Sequence, residues 1–223
     1  MDIFRSDEDR QLYLRILVES AVRWGVSFWA WCLMNNHLHF LAVPSKLDSL
    51  ARAFGRTSTR YATIINSREG VRGHLFQERF WSCPVQTEGY AVASGRYIER
   101  NPAKAGMVEN PLDWPWSSAA HNVTGQPDPL VQGRHLDELA GPWEKTLLEK
   151  LADPIPDELI ELHVHTGRPL GDVEWLRRQE KKLGKPLLTE SQRNGRRGSL
   201  SERASLEAIK NLAIGKPEHL PVS

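Results

Sequence analysis

Residues 26–43 read VSFWAWCLMNNHLHFLAV, and they set the architecture expected for the chain. An apolar, aromatic run ends at Leu33, the turn-forming residues 34–36 follow, and a second extended run starts at His37 and stops before Pro44. Aromatic and β-branched residues on both sides of a short polar turn are typical of a β-hairpin. The segment therefore predicts two consecutive antiparallel strands.

Helical patterns lie on both sides of this hairpin. Apolar residues recur every three or four positions over 7–24 and over 45–67, which predicts two helices, the first capped by Ser6 or Asp7 and the second ended at Gly70. The apolar run at 80–85 predicts a third short strand.

A third helix is predicted from Thr87 to Arg100, where Asn101 and Pro102 should stop it. Three strands and three helices in this order predict an α+β fold with an antiparallel sheet.

Composition divides the chain into three parts. Glycine, proline and aspartate are frequent over 121–133, which indicates a boundary near 125–130, and short helical patterns follow. After Thr189 the chain becomes polar and basic. We predict a first domain over 1–125, a helical extension over 126–188 and a mobile basic tail over 189–223.

Charge and cysteine content exclude several classes of protein. The formal net charge is +1, which excludes a histone-like polycation and a disordered acidic chain. Cys32 and Cys83 are too few for a disulfide framework or a four-cysteine zinc site. The acidic start does not fit a signal peptide, and no apolar run reaches the ~18 residues of a membrane span. A cytoplasmic protein with no membrane partner is expected.

The segment His37-Leu38-His39 is the strongest sign of chemistry. Residues two apart on a strand share a face, so both imidazoles project together and suit a divalent metal. Asn101 is a candidate third ligand, because it follows Tyr97 by four residues and shares its helix face. A tyrosine hydroxyl, with an ordinary pKa of about 10, is a poor nucleophile unless a metal polarises the phosphate that it attacks.

Each of these signs also has a purely structural explanation. Two neighbouring histidines can be hydrogen-bonded, half-buried residues, and Tyr97 alone suits a helical core position. His163 and His165 repeat the spacing, but they lie in a predicted helix, where residues two apart point about 200° from one another. No metal is assigned to that second pair.

The order of four segments resembles a known family. The segments are MNNHLHFLAV at 34–43, GHLFQERFWS at 73–82, GRYIERNPAKAGMV at 95–108 and DWPWSSAAH at 113–121. Over about residues 3–125 the chain resembles single-tyrosine HUH transposases, above all the REP-associated tyrosine transposases and their insertion-sequence relatives.

The resemblance implies a ferredoxin-like sheet and a specific chemistry. His37 and His39 would bind Mg²⁺ or Mn²⁺ together with Asn101, which is often glutamine in relatives. Tyr97 would attack single-stranded DNA at a hairpin or palindromic repeat, form a 5′-phosphotyrosine link and release a 3′-hydroxyl. The protein would act at the bacterial nucleoid as a homodimer or a monomer.

Two departures from the family pattern keep alternatives open. Relatives have a further strand before the segment that here begins at residue 1, so the first strand of the sheet is expected to be missing and stability to be lowered. A catalytically impaired, DNA-hairpin-binding remnant is therefore the alternative function. The second departure is Asn35, which stands where proline is common in relatives.

A small-molecule metal hydrolase has little support, because no carboxylate or third histidine lies at a spacing typical of metal ligands.

Candidate DNA contacts come from one helix and one loop. Arg52, Arg56 and Arg60 recur every four residues and form a basic stripe that could follow phosphates, although a solvated helix face has the same spacing. Gln77 and Arg79 belong to a family segment whose role would be scaffold or DNA contact.

Overall fold

The structure is a computed structural model that describes residues 2–76, 80–149, 155–188 and 193. By its internal contacts the chain divides into two compact units, one of residues 1–80 and 94–150 and the other of residues 81–93 and 151–223. The predicted α+β class is confirmed: an antiparallel hairpin lies among helices, and the C-terminal part is helical. The predicted boundary near 125–130 stays a prediction.

The first unit begins with helix α1, followed by the hairpin and helix α2. Helix α1 spans Asp7–Trp24, and its start is fixed by the Ser6 side chain, which accepts a hydrogen bond from the Asp9 backbone nitrogen. Gly25 ends α1 with a φ of 63°, a left-handed conformation that glycine adopts without strain. Helix α2 spans Ser49–Glu69 and ends in the same way at Gly70.

The hairpin consists of strands β1, Val26–Leu33, and β2, Leu38–Pro44. A β-bulge leaves Trp29 without a partner between Phe28 and Ala30. The insertion changes which residues face the core, because a strand presents alternate residues to each face. The core-facing residues of β1 are accordingly Val26, Phe28, Trp31 and Leu33.

Helices α1 and α2 cover one face of this hairpin. Three buried aromatic rings, Phe4, Tyr13 and Tyr61, lie with centroids 5.3–5.7 Å apart. Each large apolar side chain removed from water contributes about 1.5–3 kcal/mol, so the packing of α1 and α2 stabilises the hairpin that lies against them.

The free side of β1 is partly covered by a later segment. Leu33 donates its backbone N–H to the carbonyl of Trp116 at 2.8 Å, and Ser118 donates its N–H to the carbonyl of Trp31 at 3.0 Å. Residues 116–118 thus occupy the edge of β1 that β2 does not.

The predicted third strand at 80–85 is wrong. These residues are irregular, and only Val85 makes a bridge, to Leu170 within the second unit. Two strands therefore make up the sheet of the described residues. The sequence FWSCPV is apolar enough for a strand, but a strand also needs a neighbour to satisfy its backbone groups.

Helix α3 spans Glu88–Lys104, so it does not stop before Asn101 as predicted. Pro102 lies inside the helix and lacks the N–H that would bond to the preceding turn. The helix nevertheless continues, because Ala105 donates its N–H to the carbonyl of Asn101 and Met107 donates to that of Pro102, both at 2.9 Å. Asn101 is consequently a helical residue.

The remaining elements are short. In the first unit a 3₁₀ turn at Pro111–Asp113 is followed by α4, Ala119–Thr124, α5, His135–Ala140, and α6, Trp143–Leu148. In the second unit α7 spans Asp157–Thr166 and α8 spans Val173–Leu183, in the part of the chain where short helical patterns were noted. Except for residue 193, the predicted tail lies outside the described residues. Over those residues, no helix combines the length and apolar character required to cross a membrane.

Candidate active site

The histidine pair lies at the start of β2. Met34 donates its N–H to the carbonyl of His37 at 3.0 Å, which closes the turn and starts the return strand. The rings of His37 and His39 have centroids 4.8 Å apart and are nearly perpendicular, at 81°. His37 is exposed and His39 is half-buried. The two imidazoles thus lie side by side at one end of the hairpin.

A neighbouring amide sets the protonation of His37. Its Nδ1 lies 2.7 Å from the side-chain oxygen of Asn36, which can only accept. In the neutral ring Nδ1 therefore carries the hydrogen, and the lone pair belongs to Nε2. A metal ligand requires such a lone pair.

Helix α3 brings two further side chains to His39. The Nδ2 atom of Asn101 lies 3.3 Å from Nε2 of His39. The ring of Tyr97 lies 5.6 Å from the ring of His39 at 80°, and the Lys104 ammonium lies 5.4 Å from the centroid of the Tyr97 ring. Tyr97 and Asn101 are 6% and 8% exposed, so both side chains are held in place by their surroundings.

The turn before His37 is supported from behind. Arg10 donates to the side-chain oxygen of Asn35 at 2.6 Å, and Ile3 and Phe4 donate their backbone N–H groups to the Asn35 carbonyl. The Arg10 guanidinium is largely buried and also lies near the ring of Trp114. A proline at position 35 could not accept the side-chain bond, so the asparagine has a structural role here.

The donor set fits a divalent cation with few protein ligands. Among the residues that the structure describes, no group of three or more His, Cys, Asp and Glu side chains could hold a metal. His37, His39 and Asn101 offer two imidazole nitrogens and one amide oxygen, and such a set leaves coordination positions for substrate oxygens.

The comparisons with known proteins concern the same part of the chain. The family model for IS200-like transposases matches residues 2–101, which include His37, His39, Tyr97 and Asn101. This match supports the family that the sequence resembles, over the part of the chain that carries the candidate site. A Haemophilus influenzae protein named as a REP-associated tyrosine transposase is 26% identical over 121 residues, 46% of this chain and 69% of that protein. No solved structure matches the chain significantly.

A buried carboxylate that the sequence patterns did not single out lies on helix α3. Glu99 is fully buried, and burial raises the pKa of its carboxyl group to about 7 although three side chains donate hydrogen bonds to it. Gly95, one turn earlier, was a usable signal. A glycine inside a helix indicates close approach, and a Cβ at Gly95 would lie 2.6 Å from Leu136.

The basic stripe is present on helix α2, but acidic residues neutralise part of it. Arg52 pairs with Asp48 and Arg60 pairs with Glu19, whereas Arg56 is exposed. The acidic partner of Arg52 lies just before α2, and that of Arg60 lies in α1. Of the other candidate DNA contacts, Gln77 and Arg79 lie outside the described residues.

The second His-x-His segment lies in helix α7 of the other unit. His163 is 9% exposed, and its Nδ1 lies 3.0 Å from the carbonyl oxygen of Arg168. Burial holds the pKa of His163 below its ordinary value. These are the features of a structural histidine.

Proposed function

We propose that this protein is a member of the IS200-like transposase family and that it cuts and rejoins single-stranded DNA at hairpin or palindromic repeats, with Tyr97 as the covalent nucleophile and Mg²⁺ or Mn²⁺ as cofactor. The observation that supports the proposal most strongly is the meeting of His39, Tyr97 and Asn101 at one end of the hairpin. A phenol, an amide and an imidazole placed together in this way have the chemistry needed for a nucleophile beside metal ligands.

The reaction is a transesterification. The Tyr97 hydroxyl oxygen forms a bond to the scissile phosphorus as the bond to the 3′ oxygen breaks. The phenol loses its proton and the departing 3′ oxygen gains one, so the step is balanced without an oxidant or reductant. Attack by the 3′-hydroxyl on the phosphotyrosine reverses the step and rejoins the DNA.

The surrounding residues bind and orient the phosphate. A cation held by His37, His39 and Asn101 would supply positive charge that polarises the phosphate. The Lys104 ammonium near the Tyr97 ring favours the approach of an anionic backbone. Tyr97 itself is only 6% exposed, which limits the access of water to its ring.

A covalent-adduct assay with matched tyrosine variants tests the proposal. Labelled single-stranded hairpin DNA and Mg²⁺ should give a denaturation-resistant shifted band with the unaltered protein and with Tyr90→Phe, which alters a buried tyrosine of the same helix. Tyr97→Phe should bind the hairpin equally well and give no band. An equal band with Tyr97→Phe would overturn the assignment. Hairpin binding without any band from the unaltered protein would favour the alternative, a DNA-hairpin-binding protein without cleavage.

A further inference from the structure

The carboxylate of Glu99 accepts three side-chain hydrogen bonds inside the first unit. Ser118 Oγ and Asn122 Nδ2 each lie 2.6 Å from Oε1, and Trp143 Nε1 lies 2.7 Å from Oε2. All three donors come after residue 101, beyond the part of the chain that the transposase family model matches. Burying a carboxylate is costly, so bonds of this number and length mark a specific anchor.

Glu99 lies on the opposite side of α3 from the candidate active site. Successive helical residues turn by 100°, so a residue two positions away points about 200° from Glu99. Tyr97 and Asn101 are both two positions away and both contact His39. Fixing the Glu99 side of the helix therefore fixes the rotation at which Tyr97 and Asn101 face the histidines.

Two of the three donors to Glu99 are themselves bound to strand β1. Ser118 Oγ accepts the N–H of Trp31 at 2.9 Å, and Asn122 Nδ2 also donates to the carbonyl of Trp29 at 3.0 Å. Strand β1 in turn pairs with the strand that carries His39, opposite Cys32. A continuous chain of bonds thus joins the rear of α3 to the histidine strand.

Cys32 follows Trp31 on β1, and the N–H of Trp31 is bound by the same Ser118 hydroxyl that donates to Glu99. Cys32 is the register partner of His39. The anchor therefore lies directly behind the strand pair that presents the imidazole.

We propose that Glu99 is a positioning residue: through Ser118, Asn122 and Trp143 it sets the placement of Tyr97 and Asn101 against His39. The segment 118–143, which follows the family-matched region, thereby takes part in building the active site. This inference rests on the proposed function, because positioning matters only if Tyr97 reacts.

Two buried carboxylates make the test selective. Glu99→Gln keeps the shape and the Oε1 acceptor but turns an amide N–H₂ towards the Trp143 N–H. Asp9→Asn is the control, because Asp9 is 1% exposed and bound to Arg68 and the Arg5 backbone in the same unit, with no described bond to α3. Both variants should lower the melting temperature.

Two measurements separate positioning from general stability. At a temperature well below both melting points, Glu99→Gln should slow single-turnover adduct formation at saturating DNA at least tenfold, with hairpin affinity unchanged within twofold. Hydrogen exchange of the amides of 96–104 should become at least tenfold faster. Asp9→Asn should change neither quantity by more than twofold. Trp143→Phe removes one hydrogen-bond donor to Glu99. It should also slow adduct formation and speed amide exchange over 96–104, but by smaller factors than Glu99→Gln.

The outcomes distinguish this inference from the proposed function. Unchanged exchange over 96–104 in both Glu99→Gln and Trp143→Phe overturns the positioning role. An unchanged rate of adduct formation in these two variants also overturns the positioning role, provided that the unaltered protein forms the adduct. If the unaltered protein forms no adduct while exchange responds as expected, the proposed function fails and the anchoring of α3 stands. If Glu99→Gln does not fold, Trp143→Phe decides by the same two measurements.

Discussion

Nε2 of His39 lies 3.3 Å from the side-chain nitrogen of Asn101, although 62 residues separate them in sequence. This contact joins the hairpin to helix α3 at the point where the Tyr97 ring also approaches His39. The amide nitrogen faces the imidazole here, and a half-turn of the Asn101 side-chain amide would put its oxygen in the same place, where it and His39 could bind one cation.

Removing either strand histidine should remove metal-dependent cleavage. We expect His37→Ala and His39→Ala each to lower Mn²⁺-dependent cleavage by about 100-fold or more, because each removes a ligand atom. Calorimetric titration with Mn²⁺ checks binding directly. His74→Ala, at an exposed position, is the control. Normal Mn²⁺ affinity in the His39→Ala protein would contradict the assignment, as would its loss when His163 and His165 are changed together in a folded protein.

Asn101 should contribute through its amide oxygen. Asn101→Ala is expected to raise the Mn²⁺ concentration for half-maximal cleavage about 10-fold, while Asn101→Gln, which keeps an amide, should recover part of that loss. The measurement is cleavage rate against Mn²⁺ concentration at fixed DNA. If the alanine and glutamine variants behave alike, the amide is not a ligand.

The bond between Arg10 and Asn35 should stabilise the fold. Asn35→Ala leaves a largely buried guanidinium without one acceptor, and we expect it to cost about 1–3 kcal/mol of unfolding free energy. Asn36→Ala removes an exposed bond and should cost less than about 1 kcal/mol. Urea unfolding measures both. Equal losses of unfolding free energy in Asn35→Ala and Asn36→Ala would show that burial of the Arg10–Asn35 bond does not increase its contribution to stability.

Glu99 should make stability depend on pH. Its folded-state pKa is raised to about 7 by burial, and the Asp128 carboxylate acts in the same direction. The folded protein therefore binds this proton more tightly than the unfolded chain, whose carboxyl has an ordinary pKa near 4.5. Protonated Glu99 therefore contributes its full stabilisation of the fold below a pH of about 4.5. This contribution to the unfolding free energy is lost as the pH rises through about 7, and its total is on the order of 3 kcal/mol.

Comparison with Glu99→Gln isolates this effect. The variant has no carboxyl to titrate at position 99, so its unfolding free energy should fall less than that of the unaltered protein between pH 5 and pH 8. Denaturant unfolding at the two pH values gives the difference. Identical pH dependence in the two proteins would mean that Glu99 does not titrate as described.

Local signals predicted most of the first unit. The Ser6 cap, Gly25 and Gly70 define the bounds of α1 and the end of α2, and the polar turn defines the hairpin. These features depend on residues a few positions apart, so they can be predicted from the sequence alone. The histidine spacing and the four-residue offset of Tyr97 and Asn101 were visible for the same reason.

Long-range partners explain what the sequence did not reveal. The run at 80–85 has the composition of a strand, but among the described residues its pairing is limited to an isolated bridge from Val85 to Leu170. Pro102 indicates a helix end, yet the bonds of Ala105 and Met107 continue the helix past it. Glu99 looks like an ordinary solvent-facing charge until Trp143, 44 residues later, is placed beside it.

The order of synthesis gives these bonds a further consequence. All four candidate site residues have been incorporated once position 101 is added, but Trp143 is still to be made. At about 5–20 residues per second, the 44 residues from Glu99 to Trp143 take roughly 2–9 s. During that interval the nascent chain contains Tyr97 without the Trp143 contact to Glu99 of the same helix. On the proposed function, reactivity towards DNA would therefore be delayed until translation has passed well beyond position 101.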